Sequence, residues 1–254
     1  MSDRRKQRSA DPADRVAFGA GELPRLREAV CDLSWLLGRG YVERTALALV
    51  GDRYSLSARQ RQAVARVACS DDLCCALAAR RLSLSDLEGR TLAIDGFNVL
   101  VTLEAALGGA VVLLARDGCA RDVSGVRGTW RRRAQTRLAL GLAGDLLREA
   151  QVAGATWVLD HGVSNAGRLR ALLQEAAAQS GWPWAVEVTD DADARLAQVG
   201  EVVASADREV LQRCGPWVSL AREAVGARVS GAWVVDLTEP RGQGPVGTPR
   251  PAGC

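Results

Sequence analysis

Apolar residues in this chain follow two rhythms, and the change between them divides it. From Pro24, Leu26, Val30, Leu33 and Leu37 recur at three- and four-residue spacing, with Gly38 closing the run. A proline in the first turn and a glycine after the last is the punctuation of an amphipathic helix. The same spacing predicts helices over 42–50, then after Ser57 with Val64, Val67 and Ala68 on one side, then from 70 to about 82. Ser57 suits an N-cap because its hydroxyl can accept an orphan backbone N–H. Short connections make 22–88 a small all-helical domain. Residues 1–21 and 240–254 are polar or rich in proline and glycine, and are expected to be disordered.

Beyond residue 89 the rhythm shortens. The stretch 92–100, LAIDGFNVL, is an apolar run broken by a glycine turn, which reads as a buried strand. A short helix carrying Glu104 follows over 102–107, then a hairpin whose arms, 111–115 and 119–123, flank Arg116-Asp117-Gly118. Strands over 156–159, 184–188, 201–204 and 232–237 alternate with helical patterns, the first through Leu138, Leu142, Leu146 and Leu147 and the next over 166–179. Such alternation predicts an α/β domain over 89–239 with a mostly parallel sheet covered by helices on both faces.

Composition adds exclusions. With 254 residues, 48% hydrophobic and 25% charged, the chain has the make-up of a globular protein. It lacks the apolar run of about 20 residues that a membrane helix requires and an apolar leader, so a cytoplasmic location is expected. A net charge of +3 does not by itself imply nucleic acid. Seven cysteines without paired CxxC spacing, and His161 as the single histidine, argue against structural zinc. The helices either side of GDRYSL could form a helix-turn-helix with Arg59, Arg61 and Arg66 facing DNA, or simply cap the next domain.

The chemistry lies at the strand ends, each of which runs into acid. Asp95 follows the first strand, Asp160 the second, Asp190, Asp191 and Asp193 the third, and Asp207 the fourth. Parallel strands deliver their ends to one edge, where open α/β sheets bind ligands. Carboxylates gathered there repel unless a cation sits among them, and hard oxygen donors suit Mg²⁺ or Mn²⁺. Asn98 and Ser205 are placed to support such a site. Each acid also has an ordinary explanation as a helix cap or turn residue. Arg121, Arg127, Arg131, Arg132 and Arg133, in and beside a glycine-rich segment, suit a phosphate backbone or a solvated face. Trp130, Trp182 and Trp184 are candidates for base stacking, Trp184 having the pattern of a core residue.

The DGFN turn, TDDADARLAQ and VVASADREVL resemble the acidic motifs of PIN-like nuclease domains. The resemblance implies an α/β/α sandwich and a Mg²⁺- or Mn²⁺-dependent ribonuclease site. Asp95, Asp193 and Asp207 would be its catalytic, metal-holding acids, Asp191 would be a further ligand, and Asn98, Asp160, Ser205 and Glu209 would support them. LLGRGYVERTALALVGDRYSL, LEGRTLAIDGFNVLVTLEAAL, RDGCARDVSGVRG and VLDHGVSNAGRL resemble the family called domain of unknown function 434 with its C-terminal PIN-like partner domain. The combined expectation is a metal-dependent nuclease acting on RNA in preference to DNA. The alternative is a non-catalytic nucleic-acid-binding or regulatory protein on a degenerate PIN-like scaffold. Self-association stays open.

Overall fold

The computed structural model describes residues 9–125 and 129–238. The N-terminal part consists of α1 (Pro12–Ala17), α2 (Leu23–Gly38), α3 (Glu43–Arg53), α4 (Ala58–Val67) and α5 (Asp71–Ala78). Ser57 caps α4 in a full capping box with Gln60, and Ser70 caps α5 through Leu73 N–H. Part of the supposed tail is ordered. Asp11 caps α1, Pro12 opens it, and buried Asp14 forms a salt bridge with Arg59, so 12–17 pack rather than trail.

The second part runs β1 (Thr91–Asp95), α6 (Gly96–Leu107), β2 (Val111–Leu114), β3 (Ala120–Asp122), α7 (Thr136–Glu149), β4 (Gly154–Asp160) and α8 (Ala166–Ser180). It continues through β5 (Trp184–Thr189), α9 (Ala192–Ala197), β6 (Val202–Ala204), α10 (Arg208–Arg213), β7 (Trp217–Val218), α11 (Leu220–Arg228) and β8 (Trp233–Asp236). Five strands form a sheet in the order β5-β4-β1-β6-β7, and all its pairings are parallel. The fold is α/β with an N-terminal helical region, and among the described residues no helix is long and apolar enough to cross a membrane.

The last strand departs from expectation. β8 pairs in parallel with β2, which pairs antiparallel with β3, making a second sheet of three strands. Val111, Leu113 and Val123 of the hairpin, with Val235 and Leu237, share a core with Leu26, Val30, Leu33, Val64 and Val67. The helical region therefore has no closed core of its own. Its apolar face is completed by the small sheet, and burial of that shared surface holds the two parts together. The main core packs α6, α7 and α11 around Leu92, Ile94, Trp157 and Leu159 of the large sheet.

Candidate acidic site at the sheet edge

Register sets out this site. Asp95 pairs with Val158, Asp160 with Thr189, and Ile94 with Ala204. The carboxyl ends of β1, β4, β5 and β6 thus share one edge. From β1 the chain winds outward through β4 and β5, then returns to add β6 and β7 on the other side. The crevice beyond β1 and β6 is the topological switch point, the usual ligand position in such sheets. Asp95 stands on one side of it, and Ser205 and Asp207 on the other.

The DGFN turn is explained residue by residue. Asp95 caps α6, its Oδ1 accepting the Asn98 N–H at 3.3 Å. Its Oδ2 accepts the Asn98 side-chain amide at 2.6 Å and the Ser205 hydroxyl at 2.7 Å. Position 96 needs glycine because a Cβ there would stand 2.4 Å from Leu159 Cδ2 and 3.1 Å from the Val158 carbonyl. Only without a side chain can the helix start so close against β4. Ser205 Oγ in turn accepts the Asp207 N–H at 3.0 Å, so one hydroxyl ties the two acids together.

Burial dominates the electrostatics of Asp95, which is 7% exposed. It raises the carboxyl to about 6, against the pull of the Ser205 and Asn98 hydrogen bonds, and the Asp207 charge adds to the rise. Asp193, exposed in the first turn of α9, is also raised, first by desolvation and then by Asp207, Asp191, Glu209 and Asp160. That list of neighbours shows that acids from three strand ends lie within reach of one another's charge.

The ordinary roles are present as well. Asp191 caps α9 through Ala194 N–H at 2.8 Å, and Asp207 caps α10 through Glu209 N–H at 2.8 Å. Asp160 accepts Gly162 N–H at 2.6 Å in the turn after β4. Asp190 points instead toward His161, 3.4 Å from its Nδ1. Among the described residues, no three histidine, cysteine, aspartate or glutamate side chains are gathered closely enough to hold a metal ion. The acids share an edge without closing into a cage.

The arginines separate into two groups. Arg121, expected on a nucleic-acid surface, is buried, with Nη1 and Nη2 on the Asp117 carboxylate at 3.0 and 2.7 Å. Its Nε donates to the Ala206 carbonyl at 2.7 Å, so this side chain pins the hairpin to the loop between Ser205 and Asp207. Burial raises Asp117, but the Arg121 charge and hydrogen bonds outweigh it and hold the carboxyl below its ordinary range. This positioning role was illegible in the sequence beyond an acid and a base four residues apart on one hairpin. Arg131 and Arg132 are exposed, Arg133 is half-buried, and Arg127 lies outside the described residues. The segment at 129–130 is tied to the loop after β4, where Trp130 N–H donates to Ser164 O and Asn165 Nδ2 donates to Trp130 O. Arg131 and Arg132 therefore leave from a loop on the acidic edge.

Other candidates are occupied by the fold. Trp130 is buried and unavailable for stacking, and Trp182 stacks on Trp184 with centroids 4.5 Å apart. Arg59 pairs with Asp14, Arg61 with Asp52, and Arg66 with Asp122. These bonds hold the chain together where a helix-turn-helix would keep its cations for DNA.

Residues 25–79 match the family model described as protein of unknown function DUF434, and 84–223 match that described as domain of unknown function DUF5616. The chain is 31% identical over 150 residues to the uncharacterized protein MJ0935 of Methanocaldococcus jannaschii, a match covering 59% of this chain and 72% of that protein. No solved structure matches the chain significantly.

Proposed function

We propose, for a chain that belongs to the DUF5616 family, that the acidic edge is the site of a divalent-metal-dependent nuclease cleaving single-stranded RNA. One observation carries the reading. Asp95, Ser205 and Asp207 form a hydrogen-bonded set across the switch point, and Asp193 lies within the field of Asp207, Asp191, Glu209 and Asp160. The donor set suits a hard cation, because every side chain in it offers oxygen and the acids raise one another's proton affinity. Asp95, Asp193 and Asp207, with Asp191 beside them, would hold Mg²⁺ or Mn²⁺ only by drawing together, since they stand too far apart to form a cage without the ion. When bound, such an ion supplies a water of lowered pKa and stabilises charge developing on a phosphodiester.

The chain's own residues do the positioning. Asn98 and Ser205 hold Asp95 in one rotamer, and Arg121 fixes the loop that presents Asp207. Arg131 and Arg132, which are exposed, would meet a phosphate backbone, a contact that positions a substrate without reading its sequence. The resemblance to PIN-like domains supports the same assignment.

The second reading, a non-catalytic nucleic-acid binder, draws support from the ordinary work the acids do, Asp191 and Asp207 each capping a helix. Incubation of single-stranded RNA with Mn²⁺ separates the two. Cleavage by the wild type and its loss in Asp95→Asn and Asp207→Asn supports the nuclease. Equal cleavage by all three refutes this site. No cleavage, with binding that survives EDTA and weakens steeply with salt, supports the binder.

A further inference from the structure

A second charged cleft lies away from the acidic edge. Its walls include Cys74, Arg81, Arg116, Arg222 and Asp236, it passes under Gly118, and its volume is about 580 Å³. That is within the range of roughly 300–1,000 Å³ typical of small-molecule sites.

Two guanidinium groups converge there. Gly118 adopts φ +89°, a left-handed conformation that favours glycine, and the space its side chain would fill is taken by arginine. Arg81 Nη1 lies 2.0 Å and Arg222 Nη1 3.6 Å from where a Cβ would stand. Arg222 donates to the Gly118 carbonyl at 2.9 Å. The Arg81 backbone is fixed by a bridge to Trp217, while its guanidinium donates no hydrogen bond among the described residues. Arg81 is exposed, so water screens the two charges from one another, and an anion entering the cleft would meet both guanidinium groups. Of the nearby carboxylates, Asp117 is neutralised by Arg121, whereas Asp236 accepts the neutral Thr238 N–H and hydroxyl on Oδ1 and keeps its charge on the wall, so it opposes an anion there. Arg116 adds charge on the same wall, anchored by the Cys69 carbonyl at 2.6 Å and by Asp71.

We infer that this cleft binds a small organic oxyanion, a molecule presenting a phosphate or carboxylate group to Arg81 and Arg222. Planar guanidinium donors match both groups, and the remaining volume accommodates the organic portion.

Calorimetry of the full chain with inorganic pyrophosphate, and separately with citrate, tests the site and distinguishes phosphate from carboxylate. At least one is expected to bind. Arg81→Gln is expected to weaken it about tenfold or more, as loss of a charge-assisted hydrogen bond does, and Asp236→Asn to tighten it. Arg81→Gln removes no hydrogen bond given by that guanidinium within the described chain, so folding should survive where Arg222→Gln could disturb Gly118. Absence of binding up to about 10 mM, or binding unchanged in a folded Arg81→Gln protein, overturns the inference. Neither result bears on RNA cleavage at the acidic edge.

Discussion

At the scale of single residues, Asp95 is the costly group. Burial lifts its carboxyl from 3.8 to about 6, so between those values the folded protein binds more protons than the unfolded chain. The stability associated with the protonated form is present below pH 4 and is lost as pH rises through 6. Ionisation of such a group costs roughly 3 kcal/mol, and the hydrogen bond lost in Asp95→Asn, where an amide –NH2 replaces one accepting oxygen, returns about 1 kcal/mol of that. In metal-free buffer, Asp95→Asn should raise stability at pH 7 by about 2 kcal/mol and lower it by about 1 kcal/mol at pH 3.5, as measured by urea denaturation. A variant less stable than wild type at both pH values would contradict the assignment. Asp95, Asn98 and Ser205 were legible because a strand end and a glycine turn fix where short polar side chains point. Arg121 was not, since sequence gives its charge but not the buried Asp117 that neutralises it.

At the scale of elements, periodicity placed the helices better than it oriented them. The leucine spacing in α7 suggested a face through Leu138, but Leu138 is 64% exposed and the buried face runs through Ala139, Leu140, Ala143 and Leu147. Small residues face inward there because α7 packs closely, with Trp182 lying over Gly144. Leu138→Gln should therefore change stability by no more than about 0.5 kcal/mol, while Leu140→Ala should cost about 2–5 kcal/mol in the same denaturation assay. The helix after β1 begins at Gly96 rather than 102, because Asp95 caps it at once. Gly96→Ala should cost about 1–3 kcal/mol by forcing Leu159 aside; a neutral effect would mean that α6 stands further from β4. The short β7 and the helix α11 had no expectation attached to them. β7 is only two residues long, too short for alternation to register.

At the scale of the whole molecule, the parallel sheet was legible from alternating strands and helices, whereas the second sheet was not. β8 joins β2 across more than a hundred residues of chain, and only the structure reveals that pairing. Its consequence is a core shared between the helical region and the α/β part. Removing residues 1–82 should expose Val111, Leu113, Val123 and Val235 and leave an aggregating or partly unfolded product. The intact chain should unfold in one transition seen equally by tryptophan fluorescence and circular dichroism. Two well-separated transitions, or a soluble folded truncation, would show the parts to be independent. The central claim concerns the edge that this architecture assembles, where Asp95, Asp193 and Asp207 are proposed to share a cation. Its most direct test is anomalous diffraction from crystals soaked in Mn²⁺. An ion within coordination distance of Asp95 and Asp207, lost in the Asp95→Asn protein, is the predicted result; no ion on these carboxylates, or one that persists in the variant, would contradict it.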